Sequence, residues 1–248
     1  MSEIADFYNT LSSKRNLIFS SHPMHIYQNL LRYIYACELS GLNKEDKLLE
    51  IGCGTGYQFP YLIGKCKEYI GIDISFSSSK EAKKESSDSL LILTDAKALS
   101  LKNNSFDVVF CLEVLEHIVN PETVFQEIRR VLKVGGRVVV STPNWWSLYG
   151  LARKIIERFV PWQELSSFNP QVDDWFTPHN LTDLLRKYFK ISGSRGSFFL
   201  PPYFNGKRHF LPRSNLLVKL YDIFERPISK TFLKRFGYTF FVVGERVN

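Results

Sequence analysis

LLEIGCGTG, residues 48–56, sets an apolar run of strand length directly against three glycines at alternate positions, Gly52, Gly54 and Gly56. A chain leaving a buried strand through such glycines can turn sharply, and a ligand can approach its backbone closely, because no Cβ stands in the way. The dinucleotide pattern G-x-G-x-x-G is not met: counted from Gly52 its third glycine would fall at Tyr57, and counted from Gly54 at Phe59. No Gly-Lys-Ser/Thr follows, which excludes a P-loop. Both exclusions turn the reading away from pyrophosphate.

Outward from this loop, strand-like and helix-like runs alternate from residue 47 to about 141, which predicts a mainly parallel sheet with helices on both faces. KLLEI, EYIGIDI, LLILT, FDVVFC and RVVVST read as strands, with YQFPYLIGKC, SSSKEAKKES and PETVFQEIRRVL as the helices between them. The last helix is expected to take Asn120 as N-cap and Pro121 at its first position, and to end at Gly135 and Gly136. Upstream, HIYQNLLRYIYACELSG has apolar residues at helical spacing and a terminal glycine, so a helix across the sheet is predicted. Downstream, PHNLTDLLRKYF reads as a helix and YTFFVVGERV as a returning strand. One domain over residues 1–248 is expected, its core at about 45–145, 178–196 and 237–248, with insertions at about 142–177 and 197–236 building an acceptor pocket and lid.

With 248 residues, 44% of them hydrophobic, the chain can bury a sizeable core. It opens MSEIADFYNT, without the basic stretch and apolar block of a secretory leader, and no apolar run reaches bilayer-spanning length, so a soluble cytoplasmic protein is expected. Cys37, Cys53, Cys66 and Cys111 lack the paired close spacing of a zinc site and read as reduced core thiols. The formal charge of +7 is uneven: residues 186–248 hold 13 Lys and Arg against 3 Asp and Glu, a net of +10, which leaves −3 for residues 1–185. A basic block with interleaved aromatics suits nucleic acid, an anionic membrane or an acidic substrate.

Asp73 closes the second strand seventeen positions after Gly56, where a carboxylate can accept from both hydroxyls of a ribose, and Asp95 follows the third strand, where it can accept from an exocyclic amine. Three such signals at the carboxyl ends of consecutive strands point to an adenosine site. LLEIGCGTG, GIDIS, LTDA, SFDVVFCLEVLEHI and LKVGGRVVVSTPN, in that order, resemble the successive motifs of the class I S-adenosylmethionine-dependent methyltransferases over roughly residues 45–145. The resemblance implies an α/β, Rossmann-like sheet of seven mainly parallel strands in the order 3-2-1-4-5-7-6, the last antiparallel, with a helical lid insertion. It implies S-adenosyl-L-methionine as cofactor, with Glu50, Gly52, Gly54 and Gly56 in its loop, Asp73 holding the ribose, Asp95 with Ala96 flanking the adenine and Leu112 beside the methionine portion, and with Cys53, Ile74 and Glu113 also among the cofactor-binding residues. That cofactor's carboxylate suits backbone N–H groups at a glycine loop and helix start, and its sulfonium suits carboxylates and carbonyls.

CLEVLEHIVNP, residues 111–121, puts Glu113, Glu116 and His117 at i, i+3 and i+4 after an apolar strand, a spacing that would gather them on one face of a helical turn. Three readings stand: a polar lining behind the cofactor, His117 as base or substrate-orienting group, and a divalent metal site. The segment resembles the ubiquinone-biosynthesis O-methyltransferases and the small-RNA 2′-O-methyltransferases, and in the latter the two glutamates and the histidine bind a metal with a further downstream histidine. Here Val172 stands where that ligand would align, with Asp173, Asp174 and the displaced His179 nearby, so no metal is expected and His117 is the candidate catalytic residue.

RSNLLVKLYDIFERPISKTFLKRF, residues 213–236, has apolar residues at 217, 220, 221, 224 and 228, a helical stripe interrupted at Pro227. It reads as a lid helix packed on the domain, or as a membrane-surface helix carrying Lys219, Lys230, Lys234 and Arg235 to anionic headgroups and the enzyme to a lipid-linked acceptor. A nucleic-acid partner is not expected, because the region lacks a recognised binding module. Trp145, Trp146, Trp162 and Trp175 are packing groups that can roof an apolar pocket. The expected activity is methyl transfer from S-adenosylmethionine to a small-molecule acceptor, at a hydroxyl oxygen. Its rivals are a non-catalytic protein of this fold that binds an anionic partner or membrane through the basic region, and an RNA methyltransferase.

Overall fold

The five apolar runs become five parallel strands: β1 (Lys47–Ile51), β2 (Glu68–Asp73), β3 (Leu90–Leu93), β4 (Phe106–Leu112) and β5 (Leu132–Pro143). β6 (Lys190–Ser197) and β7 (Thr239–Glu245) complete one sheet in the order β3-β2-β1-β4-β5-β7-β6, with β7 antiparallel to both its neighbours. The structure, a computed structural model, describes residues 23–85, 90–160, 173–199, 203–204, 208–209 and 214–248. Ser86 at the end of the expected helix SSSKEAKKES, Trp162 and Val172 lie outside them.

The central strands read as continuous apolar runs because both faces of the sheet are covered. Consecutive residues feed opposite cores: Leu49, Val109 and Val140 enter one, while Leu48, Val108 and Val139 enter the other. The first core is closed by α4 (Glu122–Val131), through Val124, Phe125, Ile128 and Val131, and by α6 (Pro178–Arg186), through Leu181 and Leu185. α1 (Pro23–Ser40) closes the second with Leu31, Tyr35 and Ala36. The remaining helices are α2 (Phe59–Leu62), α3 (Phe76–Glu85), α5 (Leu148–Ile156) and α7 (Asn215–Ile228). Among the described residues no helix is long and apolar enough to cross a membrane, and all four cysteines are free thiols.

Several local expectations change. Only four residues of YQFPYLIGKC are helical, and Gly64 at φ +81° follows. α4 begins one residue later than expected, because Asn120 takes a left-handed turn at φ +58° and Pro121 occupies the cap position. It ends before the glycine pair, since Leu132 is already extended; Gly135 and Gly136 lie within β5, where its register against β4 shifts.

The first insertion carries α5, and the second carries a ribbon of Tyr203–Phe204 with Arg208–His209, then α7 and a 3-10 turn at Phe232–Phe236. α7 runs through Pro227, which sits in its last turn. The apolar stripe expected at 217, 220, 221, 224 and 228 is not one face. Tyr221, Glu225 and Ile228 turn inward, whereas Leu220 and Phe224 join Leu216 and Ile223 in solvent. The inner face is held by polar bonds: Tyr27 Oη donates to Asp222 Oδ1 at 2.7 Å, Phe198 N to Glu225 Oε1 at 2.8 Å, and Arg195 Nε to Ser229 Oγ at 2.9 Å.

Candidate active site

Gly52 N and Cys53 N both donate to Ile72 O, at 2.8 and 3.0 Å, so the loop after β1 curls back over β2. Gly52, Gly54 and Gly56 have φ of +75°, +56° and +75°, a left-handed backbone that strains other residues. A Cβ at Gly52 would stand 2.4 Å from Val114 Cγ2, and one at Gly56 2.6 Å from Phe59 Cε2, but around Gly54 nothing lies within 4 Å. The loop is therefore packed at both ends and open at its centre, a cradle that a side chain would fill.

Glu50 is buried beneath this loop and accepts from the hydroxyls of Tyr33 and Tyr69 and, at 2.8 Å, from Gln58 Nε2. Burial raises its pKa while those three donors oppose the shift. Gln58 Nε2 also donates to Cys53 O at 2.9 Å, so Glu50 supports the loop from the side away from its opening. Cys53 turns its own side chain inward against Gly71.

Asp73, at the end of β2, accepts from Gly54 N through Oδ2 and from Ser75 N through Oδ1, both at 2.8 Å. Burial pushes its carboxyl up, and backbone N–H groups of Ser75, Gly54 and Ile74 pull it down. Asp95 Oδ1 accepts from Lys97 N at 2.9 Å, Ala96 packs against the core, and Leu112 is buried at the end of β4. Tyr57, Phe76 and Leu93 stand exposed just beyond β1, β2 and at the end of β3. An open glycine centre, a carboxylate bonded to it and exposed apolar groups around it fit a ligand with an amino-acid end, a ribose and a flat base.

The ExxEH segment is not an α-helical turn. Glu113 is left-handed at φ +57°, and Leu115–His117 form a single 3-10 turn. Glu113 Oε1 accepts from Ser141 Oγ at 3.0 Å, and its Oε2 lies 3.9 Å from Arg32 Nη2 on α1. Glu116 is 1% exposed; its Oε2 has no partner among the described residues, and its Oε1 lies 3.9 Å from His117 Nε2. Burial first, and the Glu113 charge second, push the Glu116 carboxyl well up, so it retains a proton where ordinary carboxylates are ionised.

Next to this turn lies an aromatic cluster. Asp174 N donates to Glu116 O at 2.9 Å, which ties it to the segment before α6. Trp145 and Trp175 have ring centres 5.2 Å apart; Tyr149 stacks on Trp175 at 5.8 Å, and Tyr238 meets both Tyr149 and Trp175 edge-on. The Arg153 guanidinium lies 4.6 Å from the Trp175 ring centre and donates to Asp173 Oδ2 at 2.7 Å, while Trp175 Nε1 donates to Asp173 Oδ1 at 2.9 Å. Both Asp173 oxygens are thus engaged, and His179 is exposed on α6 beside Asp183. Among the described residues no group of three or more His, Cys, Asp or Glu is arranged to hold a metal.

Sequence reasoning missed Arg32, Gln58, Ser141 and Arg153. Arg32 and Glu113 are far apart in the chain, and no local signal announces their approach.

The family described as "Methyltransferase domain" matches residues 49–140. The chain is 30% identical over 168 residues to the ubiquinone biosynthesis O-methyltransferase of Citrobacter koseri, a match covering 64% of this chain and 69% of that protein. A chain from the Haloferax volcanii complex between the Trm112 methyltransferase activator and a methyltransferase superposes with a TM-score of 0.67 at 16% identity, over 99% of this chain and 98% of that one. The N-methyltransferase NodS of Bradyrhizobium japonicum, in complex with S-adenosyl-L-homocysteine, gives 0.61 at 14% identity, over 98% and 100%. The two structures share the fold, and the sequence match carries the family: the chain belongs to the class I methyltransferases, enzymes whose cofactor is S-adenosyl-L-methionine.

Proposed function

We propose that this enzyme methylates a hydroxyl oxygen of a small, largely apolar acceptor, free or lipid-linked, with His117 receiving the hydroxyl proton. One observation carries the reading. Val114, which opens the turn bearing Glu116 and His117, packs directly on Gly52 of the glycine loop, so the turn that carries a candidate base is fixed beside that loop at the end of β4. The name of the Citrobacter koseri relative supports transfer to oxygen. The four free thiols support a reducing, cytoplasmic setting.

The residues that would hold the cofactor are Gly52 to Gly56 by their backbone, Asp73 with Ile74 at the ribose, Asp95 and Ala96 at the adenine, and Leu112 and Glu113 at the methionine portion, with Glu50 holding the loop from beneath. Bound there, S-adenosylmethionine supplies a methyl group already activated by its sulfonium. Alignment, exclusion of water and removal of one proton are left to the chain. Trp145, Tyr149, Trp175 and Tyr238 give the acceptor an apolar wall. Arg32 balances Glu113, and a protonated Glu116 spares the turn a second buried negative charge.

The test is methyl transfer from S-adenosylmethionine into a metabolite extract, with the methylated product identified by mass spectrometry. His117→Ala should lower turnover by about 10² to 10⁴ with calorimetric cofactor affinity unchanged, and EDTA should leave turnover intact. A His117→Ala enzyme with native turnover would return the segment to a polar lining. Loss with EDTA and rescue by magnesium or manganese would make it a metal site, and a product methylated on nitrogen or carbon would overturn the hydroxyl acceptor.

A further inference from the structure

We infer that the outer face of α7 and the 3-10 turn after it form a docking surface for an anionic phospholipid bilayer. Leu216, Leu220, Ile223 and Phe224 follow one another at i, i+4, i+7 and i+8 and all point to solvent, Leu216 and Phe224 with 66% and 67% of their surface exposed. The turn adds Phe232 at 75%, with Leu233 and Phe236 also exposed. Single exposed apolar residues are ordinary, but seven large ones on two consecutive elements require an apolar environment outside the chain.

The charges around them identify that environment. Lys219, Lys230 and Arg235 are exposed and, among the described residues, pair with no carboxylate. Lys234 reaches Ser194 O at 3.3 Å. The acids of α7 do not offset them: Asp222 is bonded to Tyr27 and Arg226, and Glu225 is 3% exposed beneath the helix. An apolar face flanked by unpaired cations matches a helix lying in the headgroup region of an anionic membrane. A second copy of the chain fits less well, because a two-fold pairing sets the same cations against each other. Nucleic acid would leave the apolar side chains without a partner, as its surface is polar and charged.

The surface also borders the site. Asn144 Nδ2 donates to Arg235 O and Gly237 O at 2.7 and 2.8 Å, joining the turn to the end of β5, and Tyr238 belongs to the aromatic wall. If the acceptor is lipid-borne, as the preceding reading allows, it meets the enzyme at that edge.

Cosedimentation of the full chain with vesicles tests this without any catalytic readout, so failure of methyl transfer would leave the result interpretable. Binding is expected to phosphatidylcholine vesicles containing phosphatidylglycerol, weakened by high salt, and not to phosphatidylcholine alone. The K219E/K230E/R235E variant should bind on the order of 100-fold less, each basic group near an anionic surface being worth roughly fivefold. L220S/I223S/F224S should lose binding while keeping native calorimetric affinity for S-adenosylmethionine. Equal binding to both vesicle types, native binding by either variant, or a dimer that L220S/I223S/F224S dissociates would each overturn the inference. So would tight binding to an RNA homopolymer that vesicles fail to compete.

Discussion

Gly52 and Gly54 share a left-handed backbone but not their surroundings, and the difference separates fold from binding at the scale of one methyl group. At Gly52 an added Cβ meets Val114 at 2.4 Å. Gly52→Ala should therefore cost about 2 to 5 kcal/mol in chemical denaturation, from backbone strain plus overpacking. At Gly54 the space is open, so Gly54→Ala should cost about 1 to 2 kcal/mol of strain yet lower cofactor affinity at least about tenfold, because the methyl group enters the cradle. Native affinity in a folded Gly54→Ala enzyme would show that the cofactor does not use the open side. Asp73 joins the two roles. Its oxygens already hold Gly54 N and Ser75 N, so Asp73→Ala should loosen the loop as well as lose the ribose. Charge-assisted hydrogen bonds are worth about 1.5 to 3 kcal/mol each, so calorimetry should show cofactor affinity falling at least tenfold. An unchanged affinity would remove Asp73 from the site.

At the scale of elements, α7 is pinned by polar groups on its inner face. Burial pushes the Glu225 carboxyl up to about 7; the N–H groups of Phe198 and Phe199 and the Tyr221 side chain hold it down, and neighbouring Asp222 adds to the rise. The folded chain thus keeps a proton that an unfolded chain releases near the ordinary carboxylate value. Stability from this group is full below about pH 4.3 and is lost as pH rises through about 7. In urea denaturation this group should contribute a decline on the order of 1 to 3 kcal/mol between about pH 5 and pH 8, and Glu225→Gln should make the slope of the native protein shallower by that amount. An identical slope in the variant would mean that another group sets the dependence. The ExxEH segment teaches a related lesson. The i, i+3, i+4 spacing suggested a helical face, but burial of Leu115 and the left-handed Glu113 produced a 3-10 turn in which Glu113 looks toward Arg32 and Ser141.

Over the whole molecule, a slightly acidic sheet domain carries a strongly basic C-terminal region, and the basic region supplies a surface at the edge of the aromatic cluster as well as β6 and β7, the last two strands of the sheet. The sequence alone determined the strands and the loop. Each is written in a few consecutive residues: apolar runs such as KLLEI and FDVVFC bury both faces, and three alternate glycines permit a backbone that other residues resist. The motif order further carried the strand order through family resemblance. Only the tertiary structure decided that Glu50 lies beneath the loop rather than at its opening, that Arg32 faces Glu113, that Asp173 is engaged by Arg153 and Trp175, and that Leu220 and Phe224 point outward. Periodicity reports that a residue is apolar or charged every few positions, but its partner is chosen by elements brought together from distant parts of the chain. Such contacts arise only once the sheet has formed and the helices have docked on its faces.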